Sequence, residues 1–256
     1  MADPNEMTFL QHLEELRWRI LKCLAAIVIF AILAFIKADW LISFLTAPAL
    51  RLNEPVILQA LKVSDMFMVQ LIASLMTGLV LASPVVIYQI WRFVEPAMGR
   101  SSRRTTLSVV IFGSFFLLAG VSFGYLILLP FSLRFFTSLG RDMVEANYSI
   151  HAYLGYVVWM LLAAGMVFQL PVISFILTRI GLLTPVFLRR YRKFALIGIL
   201  VFAAILTPPD PMSQMFMAVP LLLLYELSIF ISKIFSIEES SQDESDENNG
   251  DRSEES

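Results

Sequence analysis

Charged residues and cysteine are scarce in this sequence. Asp, Glu, Lys and Arg make up 16% of the 256 residues, whereas about a quarter of a typical soluble domain is charged. Hydrophobic residues make up 58%, and the mean hydropathy is +0.75. The single cysteine, Cys23, excludes an internal disulfide and a multi-cysteine metal site. The composition therefore indicates a polytopic membrane protein rather than a globular protein with a large core.

The motifs of common enzyme classes are missing as well. The sequence has no G-x-S-x-G motif, no phosphate-binding P-loop and no pair of buried aspartates. The run from His12 to Glu15 resembles half of a zinc-protease motif, but no second histidine follows four residues after His12. The other histidine, His151, is predicted on the opposite side of the membrane. We expect no enzymatic activity, no catalytic residue, no metal, no cofactor and no nucleic-acid partner.

Long apolar runs predict an all-α protein with six transmembrane helices. A span needs about 20 mostly apolar residues. The candidates are about Ile20–Ala38, Met66–Trp91, Leu107–Leu133, Tyr153–Ile180, Phe194–Leu206 and Met212–Phe235. The segment Asp39–Asp65 is predicted as a loop with a short apolar patch, Trp40–Leu45. Lysine and arginine are concentrated on one side, so both termini are predicted to be cytoplasmic.

Two features predict a concave membrane domain. The fifth run has only 13 apolar or glycine residues, roughly 20 Å of helix, against a hydrocarbon thickness of about 30 Å. Helices five and six are therefore predicted to be short. Prolines in four spans each remove a backbone hydrogen bond and are predicted to bend their helices: Pro84, Pro130, Pro171 and Pro220. The alternative is that membrane helices simply tolerate these prolines.

The chain divides into three predicted regions. Residues 1–19 hold a cytoplasmic amphipathic helix, in which His12, Glu15 and Arg19 lie on one flank, one turn apart. Residues 20–235 form the six-helix membrane domain. Residues 236–256 form a disordered cytoplasmic tail, since nine acidic residues and one basic residue lie between Glu238 and Ser256. The amphipathic helix is predicted to run without a break into the first span. Glu15 then sits where a helix enters lipid, and a charge there is costly without a partner.

Five motifs, in order along the chain, carry a resemblance to a known family. They are His12–Arg17 (HLEELR), Ser83–Met98 (SPVVIYQIWRFVEPAM), Phe123–Pro130 (FGYLILLP), Phe168–Pro171 (FQLP) and Leu206–Gln214 (LTPPDPMSQ). Together they resemble the TatC family, the multi-spanning receptor of the twin-arginine protein translocase, over about Met7–Phe235. The resemblance implies a protein that captures the twin-arginine signal peptide of folded cargo. It also implies single-span partners of the TatA and TatB type and transport powered by the protonmotive force.

The resemblance implies roles for individual residues near the predicted cytoplasmic side. Glu15 matches the family glutamate that reads the arginine pair, Glu14 occupies a variable position, and Arg17 orients Glu15 or binds lipid phosphate. Ser102 stands where the family commonly has a second glutamate, and Glu95 is the candidate to replace that charge. The implied signal-peptide site comprises His12, Glu14, Glu15, Arg17, Phe93, Glu95, Ser102, Arg103 and Arg104.

Other implied roles concern partner helices and structure. Thr207 and Gln214 are expected to form a polar site for a partner's membrane helix. Structural or translocation roles are implied for Pro48, Tyr125, Gln169 and Asp210. Gln169 stands where many members have a glutamate. The residues alone leave two alternatives for it, structural glue between helices and the handling of a passenger.

The implied setting is a prokaryotic plasma (inner) membrane, with this chain as a homo-oligomer within a larger complex in the lipid bilayer. The competing hypothesis is a secondary solute or ion transporter. Such transporters usually show internal duplication and charged or broken helices near the midplane of the membrane. Neither feature is evident in this sequence, where the ionisable residues cluster at the ends of the spans.

Overall fold

The fold comes from a computed structural model that describes residues 9–52, 56–98, 103–138, 147–206, 214–215 and 217–234. Helices dominate this part of the chain: α1 Phe9–Phe35, α2 Ala38–Leu50, α3 Asp65–Val94, α4 Arg103–Phe123, α5 Leu129–Ser138, α6 Ile150–Val167, α7 Leu170–Arg179, α8 Pro185–Arg190, α9 Arg192–Leu206 and α10 Met217–Ile234. A 3-10 turn, Glu95–Met98, follows α3, and a π-helical turn, Gly124–Leu128, joins α4 to α5.

Within the described ranges, five helical segments are long and apolar enough to cross a membrane. They are Gln11–Phe35, Asp65–Val94, Arg103–Ser138, Ile150–Arg179 and Met217–Ile234. These correspond to five of the six predicted spans. The amphipathic stretch and the first span form one continuous helix, α1, as the sequence predicted. The remaining predicted span corresponds to α9, whose 15 residues make roughly 22 Å of helix.

The prediction of a loop from Asp39 to Asp65 is wrong. The segment begins with helix α2, whose apolar residues Leu41, Ile42, Leu45 and Ala49 are buried on one face. Strand β1, Ile57–Gln59, then pairs in parallel with strand β2, Asn147–Ser149. This short ladder is a departure from the all-α prediction. The apolar spacing of α2 was visible in the sequence, but the two prolines of the Asp39–Asp65 segment, Pro48 and Pro55, favoured a loop.

Helix α6 lies at the centre of the described fold. Leu154, Val157, Leu161 and Ala164 recur at helical spacing and are almost fully buried. Leu128, Leu129 and residues of α2, α3, α9 and α10 pack around them in the main apolar core. Helix α1 is much less buried, with side chains such as Ile32 about 60% exposed. Such an apolar outer surface suits contact with lipid.

Helix α1 packs antiparallel along α3, and one close approach fixes their register. A β-carbon at Gly78 would lie 2.6 Å from the backbone nitrogen of Ala31, so only glycine allows this contact. Counting away from the contact in both directions brings the start of α1 beside the end of α3. The register therefore places Arg19 on α1 beside Gln89 on α3, and Glu15, one turn away from Arg19, near the end of α3.

The regular α-helical hydrogen bonding is interrupted near two of the four prolines that were predicted to bend helices. Residues Phe168 and Gln169 form a turn between α6 and α7, directly ahead of Pro171. The π-helical turn precedes Pro130. Helix α3, by contrast, continues through Pro84. Bending at Pro84 and Pro220, and the concave shape built on it, stay predictions.

Candidate functional site

The carboxylate of Glu15 is held in place by an arginine one turn along α1. Arg19 Nε donates to Glu15 Oε1 at 2.9 Å, and Arg19 Nη2 donates to the same oxygen. Arg19 Nη1 also reaches Oε1 of Gln89 on α3, at 3.4 Å. The Glu–Arg spacing of four residues is the one that favours ion pairs on a helix. Because Arg19 bridges two helices, the position of Glu15 is fixed relative to α3.

The second oxygen of Glu15 is buried and has no hydrogen bond within the described part of the chain. His12 Nδ1 lies 3.8 Å from this Oε2. The imidazole of His12 stacks on the ring of Phe93, with centroids 4.3 Å apart and planes 18° apart. A buried acceptor without a donor is costly. The site therefore presents one occupied carboxylate oxygen and one that is ready to accept a donor.

A second carboxylate, Glu95, lies at the end of α3 and is paired differently. Arg92 Nη1 donates to Glu95 Oε2 at 2.5 Å. The hydroxyl of Thr106, on α4, donates to Glu95 Oε1 at 3.5 Å and accepts from Trp91 Nε1 at 3.0 Å. Trp91 is 1% exposed and stacks on Phe175 of α7. Glu95 thus has contacts on both carboxylate oxygens, so an incoming cation must exchange with Arg92.

The other residues of the implied signal-peptide site lie around these two carboxylates or outside the described residues. Glu14 and Arg17 are exposed on α1, and Arg19 rather than Arg17 holds Glu15. Arg103 and Arg104 are exposed at the start of α4. Ser102, Thr207 and Asp210 lie outside the described residues, as does the acidic tail. The roles implied for all of these residues stay predictions.

Pro48 and Tyr125 are linked through one backbone carbonyl at the other end of α1. Pro48 lies inside α2 and has no N–H, so the carbonyl of Phe44, four residues earlier, loses its helical donor. The hydroxyl of Tyr125 donates to that oxygen at 2.6 Å. The Tyr125 ring stacks on Phe44, with centroids 4.4 Å apart. One turn of helix α2 is therefore closed by a side chain from the π-helical turn.

Tyr153, on α6, makes a parallel contact with α2. Its hydroxyl donates to the carbonyl of Leu45 at 3.0 Å. Two tyrosines from different elements thus anchor the same turn of α2.

Two glutamines with implied roles, Gln169 and Gln214, contact backbone carbonyls. Gln169 Nε2 donates to the carbonyl of Gly113 on α4 at 2.9 Å. A contact of this kind between helices is what the alternative of structural glue requires of Gln169. Gln214 Nε2 donates to the carbonyl of Leu200 on α9 at 3.0 Å, so part of its amide is already used within the chain.

Sequence reasoning did not assign roles to Arg19, Gln89 and Thr106. The spacing of Glu15 and Arg19 was a visible signal, since it is typical of an intrahelical ion pair. Gln89 and Thr106 carried no local signal, because their contacts depend on how α1, α3 and α4 pack. No group of three or more metal-ligating side chains occurs among residues that the structure describes.

Comparison with known proteins identifies a matching family. The family model described as Sec-independent protein translocase protein (TatC) matches residues 11–220. The Desulforapulum autotrophicum protein named Sec-independent protein translocase protein TatC is 38% identical over 97% of this chain and 93% of its own length. The Bacillus subtilis protein TatCy is 40% identical over 90% of each chain.

Solved structures agree with the sequence comparison. A crystal structure of the twin-arginine translocase receptor TatC superposes with a TM-score of 0.74 at 34% identity, covering 87% of this chain and 98% of that one. A second crystal structure of that receptor, in DDM, gives a TM-score of 0.76 at 34% identity, covering 86% and 99%.

Proposed function

The chain belongs to the TatC family and is a core, non-enzymatic subunit of the Sec-independent protein translocase, and from that premise we propose how it recognises cargo. The carboxylate of Glu15 binds the arginine pair of a twin-arginine signal peptide. The solute-transporter alternative is set aside, because the relatives are named as protein translocases.

The single observation that carries this proposal is the buried Oε2 of Glu15, which has no hydrogen bond from the described residues. A guanidinium that donates to Oε2 satisfies a desolvated acceptor without displacing Arg19 from Oε1. A charge-assisted hydrogen bond of this kind is worth about 1.5–3 kcal/mol. The first peptide arginine therefore gains a bond that the free protein lacks.

The geometry also favours arginine over lysine. A guanidinium presents N–H groups in a planar fork, whereas an ammonium is a compact, strongly hydrated point charge. The free oxygen lies beside the stacked rings of His12 and Phe93, and a planar guanidinium stacks on aromatic faces more readily than an ammonium does. In this proposal Phe93 contributes a docking surface and Arg19 is a positioning residue.

Glu95 forms the second part of the proposed site. Its pairing with Arg92 and Thr106 means that a peptide cation gains less there, because it must first displace Arg92. Ser102, in place of the common family glutamate, supplies no charge. Recognition of the arginine pair therefore depends more heavily on Glu15, with Glu14 close by on the same helix and Arg103 and Arg104 at the start of α4.

The membrane setting is proposed from the family and the loop charges. Both termini are cytoplasmic, α9 supplies the sixth span, and the protein lies in a prokaryotic plasma membrane. It works with TatA- and TatB-type single-span proteins in a homo-oligomeric complex that uses the protonmotive force. Thr207 and Gln214 contribute the polar site for a partner helix, where each hydrogen bond is worth about 0.6–2 kcal/mol.

The test compares Glu15→Gln with Glu14→Gln in cells that export a twin-arginine reporter. Both changes remove one charge from the same helix turn, but only Glu15 carries the buried acceptor. We expect Glu15→Gln to lower reporter export at least tenfold, since one charge-assisted bond is lost. Glu14→Gln and Sec-dependent export serve as controls. Equal export by the two variants would remove Glu15 from the proposed site.

A further inference from the structure

A cavity opens between α3 and α4 beside Glu95, and it is graded from polar to apolar. It has a volume of about 790 Å³, within the range of roughly 300–1,000 Å³ that ligand pockets occupy. Its polar end is lined by Tyr88, Arg92, Glu95, Arg103 and Thr106. Its apolar end is lined by Pro84, Val85, Leu107 and Val110.

The two ends of the cavity lie at different depths. Arg92 is eight residues beyond Pro84 on α3, a rise of about 12 Å. Val110 is seven residues beyond Arg103 on α4, a rise of about 10 Å. Both membrane-capable segments reach their ends at Val94 and Arg103. The polar end therefore lies where the two spans leave the apolar layer, and the apolar end points into it.

Among the described residues that line the polar end, the charges leave one positive charge in excess. Glu95 is neutralised by Arg92, whose Nη1 lies 2.5 Å from the carboxylate. No ion pair between described residues uses Arg103, whose side chain lines the same cavity. The Arg92 side chain is 48% exposed and has further N–H donors besides the one given to Glu95. One monovalent anion would balance this set.

We propose that this cavity binds an anionic phospholipid, with its phosphodiester at Arg103 and Arg92 and one acyl chain along Val85, Leu107 and Val110. Arginine forks match phosphate oxygens in the same way as carboxylates. The Tyr88 hydroxyl, one helical turn from Arg92 on α3, is a further donor that lines the cavity. The apolar half distinguishes a lipid from a soluble phosphate, because a soluble anion gains nothing from those side chains. The cavity shares Glu95 and Arg103 with the proposed signal-peptide site, but lipid binding is a further function that does not depend on cargo recognition.

The test uses the purified full chain in detergent with phosphatidylglycerol or phosphatidylcholine of identical acyl chains, and native mass spectrometry to measure retained lipid. We expect phosphatidylglycerol to be retained about tenfold more than phosphatidylcholine, and Arg103→Gln to lower its retention about tenfold. Arg134→Gln is the matched control, because Arg134 is an exposed arginine on α5. Equal retention by the Arg103→Gln and Arg134→Gln variants would overturn the proposal.

Two further arms separate the lipid from other occupants. Glu95→Gln is expected to raise phosphatidylglycerol retention, because it removes the only negative charge that lines the cavity among the described residues. The same change would weaken the binding of a cationic peptide in this cavity. Lowered lipid retention by the Glu95→Gln variant would therefore count against the proposal. Glycerophosphoglycerol, which lacks acyl chains, is expected not to displace the lipid at equal concentration. Full displacement would mean a soluble-anion site and would also overturn the proposal.

Discussion

The two ends of α1 lie beside polar groups that are satisfied in opposite ways. At the start of α1, Glu15 has one oxygen bound by Arg19 and one buried oxygen without a donor among the described atoms. Beyond the end of α1, the carbonyl of Phe44, left without a helical donor by Pro48, is bound by Tyr125. The first end keeps an acceptor available, and the second end uses its acceptor internally.

This difference assigns ligand binding to the Glu15 end and fold stability to the Tyr125 end. A buried acceptor without a donor lowers stability, and a protein keeps such a group where a ligand completes it. A carbonyl that is bound by a tyrosine from another element stabilises the fold and offers nothing to a ligand. Changes at Glu15 are therefore expected to alter cargo binding, and changes at Tyr125 to alter unfolding.

The largest effect is expected for Glu15→Lys. The change places a second cation beside Arg19 and repels an incoming arginine pair. The charge-assisted bond to Oε2 is lost and like-charge repulsion is added, so signal-peptide affinity should fall at least about 100-fold. The measurement is binding of a labelled twin-arginine peptide to purified protein, with Glu14→Lys as control. The unfolding midpoint should change little, and a large fall in that midpoint would break the contrast between the two ends.

An intermediate effect is expected for Tyr125→Phe. Removing the hydroxyl leaves the Phe44 carbonyl without a donor, at a cost of about 1–3 kcal/mol in the free energy of unfolding. Unfolding in mixed micelles with denaturing detergent measures the change. Peptide affinity should stay within about twofold of the wild type, a free-energy difference of less than roughly 0.4 kcal/mol.

A double-mutant cycle with Pro48→Ala sharpens this prediction. Alanine at that position restores a backbone N–H that can donate to the Phe44 carbonyl. Tyr125→Phe should then cost less in the Pro48→Ala background than in the wild type. Additive costs would mean that the Tyr125 hydroxyl does not stabilise the fold through this carbonyl.

The smallest effect is expected for Gln169→Leu. The Gly113 carbonyl that it contacts lies within α4, where the helix supplies its own donor. Loss of the side-chain bond should cost about 0.6 kcal/mol in unfolding free energy, the average for such bonds in membranes. Export of a twin-arginine reporter should stay near the wild-type rate. A large loss of export without a loss of stability would favour the alternative in which Gln169 handles the passenger.

The sequence predicted those parts of the fold that depend on local apolar runs. The long apolar segments and the continuous α1 are confirmed, because hydrophobic length and helical period are local properties. Helix α2 was missed, since its Pro48 argues against a helix until Tyr125 supplies the missing bond. The parallel pairing of β1 with β2 joins residues about 90 apart in sequence, and local patterns carry no information about such contacts.

The candidate site was predicted in part. The flank of His12, Glu15 and Arg19 was visible from the helical period, and the structure brings these three side chains together. The contacts to Gln89 and Phe93 depend on the register between α1 and α3, which is set by the close approach at Gly78. That approach has no signal in the sequence beyond the glycine itself.

The most direct test of the account measures the coupling between Glu15 and the arginine pair. Peptide affinities are measured for wild type and Glu15→Gln, each with an Arg-Arg peptide and with its Lys-Lys counterpart. We predict a coupling free energy of about 1.5–3 kcal/mol, because the guanidinium–carboxylate bond exists only in the pair of unmodified partners. Additive losses, with a coupling near zero, would contradict the claim that the free oxygen of Glu15 receives the guanidinium.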